Sequence, residues 1–150
     1  MLLTNKVSLI TGSGGGGSGR AIACRFAREG SSVIVCDIDE SGGQETVRLI
    51  EAEGGRAVFF RADVGVDSEV HDLMAFADEK YGGVDVLVNN ASDTSHLAGF
   101  FEHWNELIRV DLLAPVHLTF HAIDVCVRPL VTITRICANT LLLVRKLSTL

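Results

Sequence analysis

Between an apolar run and the first amphipathic stretch of this 150-residue chain lies Thr11-Gly12-Ser13-Gly14-Gly15-Gly16-Gly17-Ser18-Gly19. A glycine turn between a strand and a helix offers backbone N–H groups and the positive end of a helix dipole, which together hold a pyrophosphate without a cationic side chain. Spacing alone decides little, because Gly12/Gly14/Gly17 and Gly14/Gly16/Gly19 both satisfy G-x-G-x-x-G. Context makes the motif informative: a strand before it, a helix after it, and Asp37 ending the next strand, about 20 residues on. A flexible surface loop is the bland alternative, and those flanking elements argue against it. A carboxylate at Asp37 accepts hydrogen bonds from adenosine ribose hydroxyls and repels a 2′-phosphate. No lysine or arginine lies inside the glycine turn and Ile38 follows Asp37, so NAD is expected over NADP. Asp39 and Glu40 read as solvated charges, or as acids that favour a helix N-terminus.

Other chemistry-bearing residues form weaker patterns. His117 and His121 stand four apart on one expected helix, a spacing that can share a metal. Without a Glu in an H-E-x-x-H setting, and with Pro115 close by, ordinary helix histidines are the better reading, and no metal is expected. His71, His96 and His103 form no spacing motif. Cys24, Cys36, Cys126 and Cys137 lack paired spacing and no secretory signal precedes them, so they read as reduced intracellular core residues.

Composition narrows the partners. A net charge of −6 supplies no basic patch to displace phosphate counterions, so nucleic acid is not expected. Apolar residues at 47% and charged residues at 21% fit a globular domain, and this length buries roughly 70% of the surface its unfolded form exposes. The start is too short for a signal peptide, with Lys6 leading into the first strand. The apolar tail is interrupted by Arg128, Pro129, Arg135, Arg145 and Lys146, a poor membrane span. A soluble cytoplasmic protein is the expectation.

The elements that must position the glycine turn alternate along the chain. Lys6–Thr11, Ser32–Asp37, Ala57–Ala62 and Val84–Asn89 are short apolar runs suited to buried parallel strands. Between them Arg20–Glu29, Gly42–Glu53 and Asp67–Lys80 have helical periodicity, with Gly30 as a stop for the first and Asp67 or Ser68 as cap of the third. A long helix is expected from Phe101 or Glu102 to His121. Such βαβ alternation predicts an α/β, doubly wound parallel sheet, a Rossmann fold over residues 1–124, in strand order 3-2-1-4. Residues 125–150 form an atypical tail, in which Val131–Cys137 alternates like a strand and adds at best beside the fourth.

Together these residues resemble the short-chain dehydrogenase/reductase family. Thr11-Gly12, Gly17-Ser18-Gly19 and Arg20-Ala21-Ile22-Ala23 are similar to its TGxxxGxG turn and helix start. Ala62-Asp63-Val64 matches the position whose aspartate bonds the adenine amino group. Asn89-Asn90-Ala91-Ser92 resembles the NNAG motif, and Trp104–Thr119 its long helix with Leu113-Ala114-Pro115. The resemblance implies hydride transfer between a nicotinamide and an alcohol or carbonyl, with cofactor contacts at Gly12, Ser13, Gly17, Ser18, Gly19, Asp37, Ile38, Asp63, Val64, Asn89 and Ala91. Asn89-Asn90-Ala91-Ser92 and Asp63 argue against a Rossmann methyltransferase; a non-catalytic dinucleotide-binding module stays open.

Several departures bear on activity. Four residues separate Gly12 and Gly17 where the family has three, and the added freedom should weaken binding. Ser92 replaces the last glycine of NNAG. The family's catalytic asparagine falls on Asp111, which keeps an acceptor but loses the amide donors; a helix-surface charge is the other reading. Tyr81, the sole tyrosine, lies upstream of Asn89 and is followed four residues on by Asp85, so the family's Ser and Tyr-x-x-x-Lys are absent from this chain. The chain is therefore expected to be truncated after about the fourth or fifth strand, inactive as it stands, and poorly ordered after about Asp124. Codons for Val125-Cys126, Ala138-Asn139 and Leu143-Val144 admit intron-like strings, one source for such a tail. A substrate would be taken only by a complete form, and the family's oligomerisation is expected to be impaired because the apolar face of Leu107, Val110, Leu113 and Ala114 loses its cover.

Overall fold

The computed structural model describes residues 1–93, 103–125, 131–136 and 140–145. Its strands are β1 (Val7–Thr11), β2 (Ser32–Asp37), β3 (Arg56–Arg61), β4 (Val86–Asn89), β5 (Val131–Ile136) and β6 (Thr140–Arg145). Its helices are α1 (Ser18–Arg28), α2 (Glu40–Ala52), α3 (Asp67–Tyr81), α4 (Trp104–Leu107) and α5 (Ala114–Val125), with a π-helical turn over Ile108–Leu113 joining the last two. The strand order is β3-β2-β1-β4-β5-β6. Pairing is parallel from β3 to β5, and β6 runs antiparallel to β5.

Continuous apolar runs become strands here because helices cover both faces of the sheet. Successive side chains then feed opposite cores. Leu9, Ile34 and Leu87 point to the side of α3 and α5, where Val70, Leu73, Met74 and Leu118 close over them. Ile10, Val33, Val35 and Val88 point to the side of α1 and α2, against Ala23 and Ile50. Each fully buried Leu or Ile contributes about 1.5–3 kcal/mol over the exposed state.

Local signals explain most boundaries. Gly30, at φ +92°, follows Glu29, the C-cap of α1, in a conformation glycine adopts readily. Asp39 caps α2 by accepting from the Gly42 N–H at 3.1 Å. The cap expected for α3 is corrected. Val66 occupies that position with extended dihedrals and no side-chain bond, and Asp67 lies inside the first turn.

The long helix after β4 departs most from its sequence pattern. Its expected start at Phe101 or Glu102 lies outside the described residues. Its end is Val125 rather than His121, and its middle is widened over Ile108–Leu113. Pro115 has no N–H for the Asp111 carbonyl and its ring crowds that position, so a wider preceding turn relieves the conflict. The wide turn also shifts the helix's phase. Ala114 is buried and Val110 packs on the core, whereas Leu112, Val116 and Phe120 are 54%, 44% and 66% exposed. Of the face expected to be wet, Leu113 alone counts among the large exposed apolar residues.

The tail also differs. β5 pairs with β4 in the register Val86↔Val131 to Asn89↔Thr134, the place its alternation suggested, and β6 extends the sheet further. The β-branched run Val131-Thr132-Ile133-Thr134 suits a pleated strand, so described parts of the tail are paired rather than without structure. Cys126, Cys137 and Ala138-Asn139 lie outside the described residues. Among those described, no helix is long and apolar enough to cross a membrane.

Candidate cofactor cleft

A cleft of about 550 Å³ opens at the carboxyl ends of β1, β2 and β4. This is the switch point of the sheet: from β1 the chain proceeds to β2 and β3 on one side and to β4 on the other. The glycine turn forms one wall. Gly12 has φ +64°, and a Cβ there would stand 2.6 Å from the Ala91 Cα. At Gly19 a Cβ would collide with the Gly12 carbonyl and approach Asn90 Nδ2 to 2.6 Å. Close approach of α1 to β4 therefore requires both glycines. Gly15, Gly16 and Gly17 have nothing within 4 Å of an added Cβ, so the extra residue of the turn is absorbed in an open arch.

Polar side chains brace that arch from behind. Arg20 donates through Nε to Thr46 Oγ1 at 2.9 Å and through Nη2 to the carbonyls of Gly14 and Gly42, the latter at 3.1 Å. Thr46 passes its own proton to the Ser13 carbonyl at 2.8 Å. Ser13 is wholly buried, donating to the Ile10 carbonyl at 2.8 Å and accepting from the Cys36 N–H at 3.2 Å. Ser18 donates to Asn90 Oδ1 at 2.9 Å, while Asn90 Nδ2 donates to the carbonyls of Thr11 and Gly12, both at 3.0 Å. The Thr11 hydroxyl accepts from the N–H groups of Asn90 and Ala91 at 3.1 Å each. Turn and β4 terminus are one hydrogen-bonded unit.

The other wall carries the acids. Asp37 accepts from the Gly14 N–H at 2.7 Å and the Asp39 N–H at 3.0 Å, and Ile38, 62% exposed, lines the cleft beside it. Asp63 and Val64 line its far end. There Arg109 Nη1 reaches both Asp63 oxygens, at 3.1 and 3.0 Å, and Glu106 holds the same guanidinium with 2.7 Å between Nε and Oε2. Those paired carboxylates raise the Arg109 pKa, so it is a permanent cation.

Of the residues expected from sequence, Gly12, Gly17, Ser18, Gly19, Asp37, Ile38, Asp63, Val64 and Ala91 border the cleft. Ser13 and Asn89 stand behind its surface; Asn89 is buried, its amide 3.5 Å from the Thr119 hydroxyl. Asp111 lies on the π-helical turn and accepts from the Asp93 N–H at 3.2 Å without lining the cleft. Tyr81 ends α3 and packs against the core away from the cleft, where burial pushes its phenol up. Cys36 is fully buried, and burial pushes its thiol up as well. His117 and His121 each come within 3.3 Å of Asp67 Oδ1, and among the described residues no group of His, Cys, Asp and Glu has metal-holding geometry. Sequence reasoning passed over Glu106 and Arg109. Their i, i+3 spacing on a helix was the available signal.

Residues 6–132 match the family model described as short chain dehydrogenase. The chain belongs to the short-chain dehydrogenase family. It is 40% identical over 117 residues to an uncharacterized oxidoreductase of Thermotoga maritima, a match covering 76% of this chain and 45% of that protein. It is 41% identical over 98 residues to the short-chain dehydrogenase/reductase homolog YusS of Bacillus subtilis, covering 65% of this chain and 89% of the relative. Its backbone is similar to a metagenomic short-chain oxidoreductase solved in complex with NADP, with TM-score 0.75 and 28% identity over 83% of this chain and 58% of that one. The chain thus spans just under half the length of the Thermotoga maritima oxidoreductase.

Proposed function

We propose that this chain is the dinucleotide-binding part of a short-chain dehydrogenase, that it holds NAD in preference to NADP, and that it does not turn over a substrate by itself. The observation that carries the cofactor preference is Asp37, whose carboxylate stands on the cleft wall bonded to Gly14 of the phosphate-binding turn. Arg20 is a cation close to that position, but its Nε and Nη2 are engaged by Thr46 and two backbone carbonyls and it does not line the cleft. A 2′-phosphate beside Asp37 would meet a negative charge, and among the described residues no lysine or arginine lines the cleft beside it. The NADP-bound relative makes this preference a point to test for this chain.

The cleft suits the group. Gly15 and Gly17 line the cleft with open space about them, and the start of α1 adds its dipole for a pyrophosphate. In this reading Gly12, Gly17, Ser18, Gly19 and Ala91 hold the phosphate side, Asp37 and Ile38 the ribose, and Asp63 and Val64 the adenine, with Ser13 and Asn89 supporting from behind. Bound NAD would supply the hydride acceptor for an alcohol. Asp111 would stand in for the family asparagine, and no Tyr-x-x-x-Lys follows it in this sequence to move the substrate proton. A cytosolic setting is part of the same reading, supported by free Cys24 and Cys36. Calorimetry with NAD and NADP tests the assignment. Tighter binding of NADP by the unmodified chain would overturn the preference, and binding of neither would overturn the function.

A further inference from the structure

We propose that Arg20 is a positioning residue for cofactor choice. It joins the glycine turn to the start of α2, and so holds the Asp37 carboxylate in the orientation that grips a ribose diol. The proposal rests on the dinucleotide reading above. It adds the residue that makes Asp37 selective, although Arg20 itself does not line the cleft.

The hydrogen bonds around Asp37 close into a ring. Asp37 Oδ2 accepts from the Gly14 N–H at 2.7 Å, and Oδ1 accepts from the Asp39 N–H at 3.0 Å. Asp39 Oδ1 in turn accepts from the Gly42 N–H at 3.1 Å. Arg20 Nη2 donates to the Gly14 carbonyl and, at 3.1 Å, to the Gly42 carbonyl, which joins the two arms. Its Nε donates to the buried Thr46 hydroxyl at 2.9 Å, and that hydroxyl reaches the Ser13 carbonyl at 2.8 Å. The ring has no slack. A Cβ on Gly14 would stand 2.9 Å from Asp37 Cγ, and one on Gly42 would collide with the Gly14 carbonyl oxygen.

This arrangement fixes the carboxylate plane. A carboxylate has about four acceptor directions, two on each oxygen. Gly14 and Asp39 take one from each, which leaves one on each oxygen for the two hydroxyls of a vicinal diol. Cutting the joint at Arg20 lets the turn and α2 move apart, and the carboxylate then follows only one of them. A turned carboxylate keeps at most one bond to the diol. NAD loses more by this than NADP, which has no free 2′-hydroxyl to offer.

Charge alone predicts the opposite sign. Deleting a cation near Asp37 should harm the extra phosphate of NADP more, and so raise the preference for NAD. A purely structural role predicts a third outcome, an equal loss of both cofactors.

The test is calorimetry with NAD and NADP at constant ionic strength, on the unmodified chain, Arg20→Met, Arg20→Lys and Gly42→Ala. The preference for NAD over NADP should fall about tenfold in Arg20→Met, as expected for one charge-assisted hydrogen bond. Arg20→Lys keeps the charge without the planar fork, and its preference should fall as well. Gly42→Ala leaves Arg20 in place but pushes α2 off the turn, and should lower the preference too. It keeps the proposal testable if the Arg20 variants do not fold. A preference that stays constant or rises in any folded variant, whatever happens to the separate affinities, would overturn the proposal. If the unmodified chain binds neither dinucleotide, or binds NADP more tightly, the proposed function itself fails. A preference for NAD that these substitutions leave intact defeats this inference alone.

Discussion

Asp37 Oδ2 accepts a hydrogen bond from the Gly14 N–H at 2.7 Å, tying the acid at the end of β2 to the middle of the glycine turn. Its second oxygen accepts from Asp39, the cap of α2. One carboxylate thereby organises both the turn and the next helix, while keeping lone pairs for a ligand hydroxyl. Removing it should loosen the turn as well as erase cofactor selectivity.

The turn itself makes a prediction that separates its glycines. Gly15 and Gly16 have open space around them and no positive φ, so Gly16→Ala should be accepted. It should stabilise the fold by about 0.4–1 kcal/mol through a stiffer unfolded chain. Gly12→Ala meets Ala91 at 2.6 Å in a left-handed conformation and should abolish dinucleotide binding. Thermal melts and calorimetry on the pair check this. Equal damage from both substitutions would mean that the arch is not open.

Arg20→Met should strip Thr46 and the Gly14 and Gly42 carbonyls of a shared donor. Leaving partly buried acceptors unpaired costs about 1–3 kcal/mol. Denaturant unfolding should therefore show a lower midpoint, and NAD affinity should fall with it. An unchanged midpoint would remove Arg20 from the support of the turn.

Leu112, Val116 and Phe120 recur every fourth residue on one exposed helical face. Phe120→Glu should move the protein toward monomer in size-exclusion chromatography with light scattering, without lowering NAD affinity, since none of the three lines the cleft. A mass distribution identical to that of the unmodified chain would show that this face does not drive self-association.

Hydride transfer offers a fourth check. General acid–base catalysis typically contributes ~10²–10⁴-fold, and no tyrosine of this sequence borders the cleft. A panel of alcohols, ketones and sugars followed by NADH absorbance should give no turnover, with or without Asp111→Asn. Robust turnover lost in Asp111→Ala would reverse that account.

The parallel order β3-β2-β1-β4 was legible because buried strands leave continuous apolar runs and glycine punctuates the turns. That the glycine turn and Asp37 would border one cleft was legible as well, because both end neighbouring parallel strands. The phase of the long helix was not, because the widening over Ile108–Leu113 arises from the conflict between Pro115 and the Asp111 carbonyl, which a regular helical period ignores. That shift exchanged Ala114 for Leu112, Val116 and Phe120 as exposed positions. Arg109 was missed for a different reason. Its partner Asp63 lies 46 residues away, and only the tertiary fold brings the β3–α3 connection against the helix. The hidden α3 cap shows the limit of composition: Asp67 and Ser68 are good capping residues, yet the extended backbone at Val66 put them one and two positions inside the helix.

Calorimetric titration of the unmodified chain with NAD and with NADP, repeated on Asp37→Ala, tests the central claim most directly. The account predicts measurable NAD binding, weaker NADP binding, and a ratio near one in Asp37→Ala. NADP binding tighter than NAD in the unmodified chain, or no binding of either dinucleotide, would contradict it.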